Sequence, residues 1–89
     1  MYNLMMSYFV YALYSKTALK LYVGQTQDLT SRLKLHEDKT FKNSYTAKTA
    51  DDWLLIYSEK KSTRFEALAR EKQLKSFRGR EFLRQHIPG

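Results

Sequence analysis

Residues 21–36 read LYVGQTQDLTSRLKLH, and within this stretch the pattern changes from a strand to a helix. The first three residues are apolar or aromatic, as in a strand, whereas the leucines of the second half recur at helical spacing. Gly24 is predicted to end the strand, because a residue without a Cβ allows a tight exit or a close approach to a ligand. Thr26 or Asp28 is then the predicted N-cap of a helix running to about residue 38.

An arginine and a histidine share the leucine face of this predicted helix. At about 100° per residue, Leu29, Arg32, Leu33 and His36 fall within one arc. Taken singly, each polar residue has an ordinary explanation, since an arginine at the rim of an apolar face can extend its guanidinium to solvent. A half-buried histidine is equally ordinary, so this helix alone does not indicate a site.

A carboxylate lies in the same way on a later predicted helix. Glu71 falls inside the apolar arc formed by Ala67, Leu68 and Leu74. An ion pair with Arg32 would explain both residues structurally. Polar groups on inward faces of a small domain cost desolvation energy unless they converge, and convergent, half-buried charged groups are typical of active sites. We therefore expect Arg32, His36 and Glu71 to open onto one pocket.

The rest of the chain supplies two more strands and two more helices. Strands are expected at 7–14, 21–24 and 53–57, and helices at about 29–38, 63–75 and 80–86. The first two strands are predicted to form an antiparallel hairpin, the polar segment 39–52 is predicted to be a loop, and the position of the third strand in the sheet is left open. The order β-β-α-β-α-α predicts an α+β fold with a three-stranded, mainly antiparallel sheet flanked by helices.

Composition limits the classes of protein that fit. Eighty-nine residues predict one domain, spanning 1–89. Sixteen Lys and Arg against nine Asp and Glu give a net charge of +7, which favours a polyanionic partner, most often nucleic acid. The absence of cysteine excludes a disulfide framework and a thiolate zinc site. The uncharged run at 1–15 lacks the basic start of a secretion signal and is too short to span a membrane, so a cytoplasmic protein without a membrane partner is expected.

Four separated features together resemble the GIY-YIG nuclease domain, in particular its small stand-alone bacterial branch. They are Val10-Tyr11-Ala12, then Tyr22-Val23-Gly24, then Arg32 on the following helix, and Glu71 within EALAREKQLK. The resemblance covers about residues 8–84. Each tripeptide alone is a weak signal, but two tyrosine motifs at this spacing, with the arginine and the glutamate in place, form a fairly specific signature. The resemblance implies the same three-stranded sheet and metal-dependent hydrolysis of a phosphodiester.

The resemblance also implies a role for each motif residue. Glu71 matches the metal-binding glutamate of the family, and Arg32 matches the arginine that holds the scissile phosphate. Tyr11 and Tyr22 match the two motif tyrosines, one of which helps to activate the attacking water, and His36 matches a position near that water. A lone carboxylate suits Mg²⁺ (or Mn²⁺), which keeps most of its water ligands. A phenol with a pKa near 10 needs a nearby cation to act as a base, and the choice of general base among these three residues stays open.

The chain departs from the family pattern in two places. Val10 and Ala12 replace the glycine and isoleucine of the first motif, but Val10 lies on the opposite strand face from Tyr11 and need not disturb it. The asparagine that many members carry late in the domain is missing. Lys48 or Lys75 is expected to supply that polar contact instead.

DNA is the expected partner, and two other functions are considered beside the nuclease. Six basic residues are predicted to contact the phosphate backbone, although they could equally be solvated surface: Lys39, Lys42, Lys48, Arg78, Arg80 and Arg84. The first alternative is a nucleic-acid-binding module that keeps the fold without useful catalysis. The second is a protein-interaction domain in which Arg32 and Glu71 form only a structural ion pair. The sequence indicates neither a preferred DNA structure nor an oligomeric state.

Overall fold

The computed structural model describes residues 7–37 and 52–89, and the side chains of residues 35–37 lie outside that description. In chain order its elements are β1 (Tyr8–Ser15), β2 (Lys20–Thr26), α1 (Leu29–Glu37), β3 (Trp53–Lys61), α2 (Arg64–Leu74) and α3 (Phe77–Arg84). The predicted α+β class and the order β-β-α-β-α-α are confirmed. Most of the predicted loop at 39–52 lies outside the described residues.

The three strands form one antiparallel sheet in the order β2-β1-β3. The third strand, whose place was left open, pairs with β1 and leaves β2 at the other edge. As the central strand, β1 is the best buried, with no more than 2% of Val10, Tyr11, Ala12 or Leu13 exposed. Such complete burial explains why its sequence is an almost continuous apolar run.

Alternation of side chains along the strands divides the molecule into two layers. On one side of the sheet, Val10 and Ala12 pack against α2 and α3 in the main core, whose other buried members are Val23, Ala67, Leu74 and Leu83. On the other side, Tyr11 and Leu13 lie beneath α1, which closes over the sheet with Leu33. The predicted separation of Val10 from Tyr11 is confirmed.

Three element boundaries differ from those predicted. Strand β2 continues through Gly24 to Thr26, so the prediction that this glycine ends the strand is wrong. Strand β3 extends four residues beyond Tyr57 to Lys61, because an edge strand tolerates the polar residues that looked like a loop. Helix α3 begins at Phe77, before Gly79 rather than after it.

Each helix begins at a side chain that caps it. For α1, Asp28 accepts hydrogen bonds from the Ser31 backbone N–H at 3.1 Å and from the Ser31 hydroxyl at 2.9 Å, so Asp28 rather than Thr26 is the direct cap. Thr63 accepts from the N–H of Glu66 at 3.1 Å to start α2. None of the described helices is long and apolar enough to cross a bilayer.

An aspartate at the start of β3 fixes the turn between β1 and β2. Ser15 donates its hydroxyl to Asp52 at 2.6 Å, and Thr17 donates both its backbone N–H and its hydroxyl to the same carboxylate at 2.9 Å. These hydrogen bonds lower the pKa of Asp52 to about 2. The end of the sheet that carries the turn is therefore held by a charged anchor.

Candidate active site

Two tyrosines and an arginine meet on the face of the sheet that α1 covers. The ring of Tyr11 lies 6.3 Å from that of Tyr22, centroid to centroid, with the planes tilted by 47°. Arg32 reaches down from α1 and hydrogen-bonds the hydroxyl of Tyr11. Tyr11 is fully buried, whereas Tyr22 and Arg32 are half-buried. The structure thus brings together three of the five residues predicted to be catalytic.

Gly24 makes the space in which the Tyr11 ring lies. The two residues are directly opposite each other in the β1–β2 pairing. A Cβ atom on Gly24 would stand 2.9 Å from the hydroxyl oxygen of Tyr11 and 3.0 Å from its Cζ atom. The glycine is therefore needed for close packing against a phenol, and this is the physical reason for it within the second tyrosine motif.

The Tyr11 hydroxyl keeps its proton more firmly than a free phenol does. Burial raises the pKa of Tyr11 most, the neighbouring Tyr22 raises it further, and the Arg32 guanidinium lowers it only in part. The net direction is well above the ordinary value of 10.0. At neutral pH the Tyr11 hydroxyl is therefore protonated in this structure and can donate a hydrogen bond.

A third ring orients Tyr22. Trp53, at the start of β3, packs edge-on against Tyr22 with a centroid separation of 6.4 Å and an interplanar angle of 71°. The sequence assigned Trp53 to the core or the sheet surface. Its contact with Tyr22 depends on the pairing of β1 with β3, which periodicity alone could not supply.

Glu71 lies in the other layer of the molecule. It is half-buried on α2 between the fully buried Ala67 and Leu74, in the arc that the sequence predicted. Its Oε2 atom is 2.7 Å from the Nζ atom of Lys75, one helical turn later. The partner of this carboxylate is therefore Lys75 and not Arg32, so the structural Arg32–Glu71 pair of the interaction-domain alternative is wrong.

A cleft lies along the edge strand β2. Tyr22 and Lys75 both line it, together with Leu21, Val23 and Arg80, and its volume is about 340 Å³. Leu21 and Val23 face the main core, whereas the Tyr22 ring packs against Tyr11 on the other face of the sheet. Lys75 connects the cleft to Glu71 through their ion pair. The expectation of one pocket shared by the inward polar residues stays a prediction.

Glu71 is the described residue best suited to hold a metal ion. Among residues 7–34 and 52–89 no three His, Cys, Asp or Glu side chains cluster as they would in an all-protein metal cage. The Oε1 atom of Glu71 accepts no hydrogen bond from the described residues, so one carboxylate oxygen remains available. A single carboxylate fits Mg²⁺, which is bound through one or two carboxylates and retains several waters.

The remaining predicted residues divide into two groups. His36 lies in α1 one turn after Arg32, but its side chain is outside the described part, and the predictions for Lys39, Lys42 and Lys48 also fall outside it. Arg78 is described: it is exposed on α3 and lines a separate cleft beside Phe82. The structure does not bring Arg78 to the cleft that Tyr22 lines.

Sequence reasoning named two basic residues beside the cleft without giving their place. Arg80 was one of the possible phosphate contacts, and it lines the cleft with Tyr22. Lys75 and Lys48 were the two lysines expected to replace the missing asparagine of the family. The spacing of four residues between Glu71 and Lys75 was the signal that could have decided the choice.

Comparison with known proteins shows the family and the fold. The family model for the GIY-YIG catalytic domain matches residues 7–82. Among solved structures, the chain is similar to the UPF0213 protein BH0048 from Bacillus halodurans, determined by solution NMR, with 27% identity and a TM-score of 0.54. The alignment covers 90% of this chain and 84% of that one. A comparison with the curated proteins found no match.

Proposed function

This chain belongs to the GIY-YIG catalytic domain family, and on that premise we propose that it is a Mg²⁺-dependent endonuclease that hydrolyses phosphodiester bonds in DNA. The family generally comprises endonucleases, so nucleic acid is the expected class of substrate. One observation carries the finer proposal. The Arg32 guanidinium lies beside Tyr11, Tyr11 packs against Tyr22, and Tyr22 lines a cleft together with Lys75, the ion-pair partner of the half-buried Glu71.

Arg32 is the proposed phosphate-binding residue. A guanidinium presents a planar set of donors that matches two phosphate oxygens, and it remains charged at any working pH. The guanidinium group of Arg32 contacts the hydroxyl group of Tyr11, and this contact orients the guanidinium. In the proposed reaction, Arg32 holds the scissile phosphate as negative charge increases on it.

The two tyrosines have different proposed roles. Tyr11 keeps its proton, and it would orient the attacking water or a phosphate oxygen by donating a hydrogen bond. The proton of that water must go to another group within hydrogen-bond reach. Tyr22 and His36 are the two candidates for this role.

Glu71 is the proposed ligand of the metal ion. When bound, Mg²⁺ supplies Lewis-acid stabilisation of the charge on the leaving oxygen. Lys75 would compete for the same carboxylate, because its ammonium group lies 2.7 Å from Oε2. A phosphate group entering the cleft would give Lys75 an alternative anionic partner.

The same ion pair favours one alternative, a nucleic-acid-binding module without useful catalysis. A carboxylate beside phosphates repels them unless a cation neutralises it, and Lys75 already provides that cation. In that case the lysine would be the permanent partner of Glu71, and no metal ion would be required for binding.

Cleavage of a panel of structured DNAs distinguishes the two functions. The wild type is expected to cut at least one substrate with Mg²⁺ or Mn²⁺ and none with chelator, and Glu71→Gln is expected to lose about 100-fold or more of that rate, since a neutral amide binds the ion poorly. Glu66→Gln is the matched control, because Glu66 is an exposed glutamate on the same helix. Cleavage that survives in Glu71→Gln would contradict the assignment, and salt-sensitive binding without any cleavage would favour the binding module.

A further inference from the structure

A groove runs along the outer edge of β2 and continues from the candidate active site. Beyond the cleft that Tyr22 and Lys75 line, a second cleft of about 470 Å³ follows the same strand toward the β1–β2 turn. The two clefts share Leu21 and Arg80 as walls. We name this continuous feature the β2 groove, lined by Leu19, Lys20, Leu21, Tyr22, Arg80 and Arg84.

The charge of the β2 groove is positive along its length. Lys20 and Arg80 are exposed, and among the described residues neither has an acidic side chain within 4.0 Å. Arg84 pairs with Glu81 at 2.8 Å, but more than half of its side chain is accessible. Basic residues that follow one line attract a linear polyanion, and in this groove two of the three have no acidic partner among the described residues.

A strained leucine stands at the far end of the groove. Among the described residues, Leu19 is the one non-glycine residue with a positive φ, of 56°, a conformation that residues with a Cβ rarely adopt. Its side chain is 73% exposed, so burial does not compensate for the strain. Backbone strain at an exposed apolar residue is typical of a ligand-contacting position.

We infer that the β2 groove binds the unpaired strand that continues from the scissile phosphodiester, with its phosphates against Lys20, Arg80 and Arg84. This inference rests on the proposed function, because it takes the site at Tyr22 as one end of the strand's path. Each cleft lies in the size range of small-ligand sites, roughly 300–1,000 Å³, which suits successive nucleotides. A positively charged groove that follows the backbone is typical of surfaces that bind single strands, and the exposed side chain of Leu19 adds an apolar contact for a base.

Binding is tested in chelator, where no cleavage takes place, with a labelled single strand of about 12 nucleotides, within the usual range of site sizes. Lys20→Gln/Arg80→Gln is expected to bind it about tenfold more weakly. The slope of log affinity against log salt concentration should also decrease by about 1.4, for two phosphate contacts at about 0.7 each. A duplex of the same length is expected to lose less affinity.

The matched control is Arg64→Gln/Lys72→Gln, which removes the same two charges from exposed positions on α2 outside the groove. It is expected to change single-strand affinity less than about twofold, because exposed charges at a distance are screened. Equal losses in the two double variants would overturn the inference in favour of diffuse charge. A larger loss for duplex than for single strand would overturn it as well.

Leu19→Asn supplies an independent variant that does not depend on charge. Asparagine tolerates a positive φ, so the melting temperature should be unchanged or raised, while the single-strand affinity should fall. A single-strand affinity equal to that of the wild type would show that Leu19 does not contact the bound strand. The cleavage assay separates this inference from the nuclease proposal: an inactive wild type with intact groove binding contradicts only the nuclease, and an active wild type with no groove effect contradicts only the groove.

Discussion

Gly24 shows how one missing side chain determines the position of a catalytic candidate. The Tyr11 ring lies over this glycine in the β1–β2 pairing, and its hydroxyl reaches Arg32 from there. The sequence identified Gly24 as a special position but predicted the end of a strand. Periodicity cannot distinguish a glycine that ends a strand from one that accommodates a ring opposite it, because the difference depends on the register of the neighbouring strand.

Gly24→Ala is predicted to displace the Tyr11 ring and to lower the cleavage rate by about tenfold or more, since a misplaced group near the reacting atoms is costly. The added methyl would stand 2.9 Å from the Tyr11 hydroxyl oxygen, which is too close for an undisturbed ring. Steady-state cleavage and thermal unfolding of the same variant check this. A rate equal to that of the wild type in a folded protein would show that the position of Tyr11 does not limit the reaction.

At the scale of secondary-structure elements, a charged network connects β3 to α2. Glu59 on β3 accepts hydrogen bonds from Tyr57 and, at 3.1 Å, from Nε of Arg70 on α2, and it pairs with Lys61 at 2.6 Å. Burial opposes ionisation of Glu59, but hydrogen bonds from Lys61, Tyr57 and Arg70 outweigh it and lower its pKa to about 2. The predicted strand ended at Tyr57, so the sequence pattern did not indicate this network. Only the extension of β3 to Lys61 brings Glu59 to α2.

This network stabilises the folded protein at neutral pH and stabilises it less as the pH falls. The folded pKa of Glu59 lies below its ordinary value of 4.5, so its contribution is complete above about pH 4.5 and is lost as the pH falls toward 2. Glu59→Gln is therefore predicted to lower the free energy of unfolding at pH 7 and to flatten its decline below pH 4.5. Asp52 titrates in the same range, so part of the decline remains. Urea unfolding of both proteins at several pH values measures this, and identical declines would contradict it.

The junction between α2 and α3 shows a second limit of the sequence pattern. Gly79 was taken as a break before the last helix, but it lies within α3, where a Cβ would stand 2.2 Å from the carbonyl oxygen of Gln73. Gly79 lets α2 and α3 approach each other closely, and it does not end a helix. The amphipathic periods predicted the existence and order of the helices, whereas the points at which they begin depend on such tertiary contacts.

At the scale of the whole molecule, the candidate residues lie on both sides of the sheet. Helical faces drew attention to Arg32 and Glu71, and the family resemblance to both tyrosines, but neither predicted that α1 and α2 cover opposite faces of the sheet. That arrangement follows from the strand order β2-β1-β3, which leaves β2 exposed as an edge that both layers can reach. Strand order depends on long-range pairing, which a single sequence does not specify.

Paramagnetic broadening by Mn²⁺, followed by NMR, tests most directly whether the two layers form one site. If Glu71 holds the ion beside the edge of β2, Mn²⁺ should broaden the backbone signals of Tyr22 and Val23 as well as those of Glu71 and Lys75. Glu71→Gln should abolish both effects, whereas Glu66→Gln should preserve them. Broadening that survives in Glu71→Gln, or that affects α2 without reaching β2, would contradict a single site across the edge of the sheet.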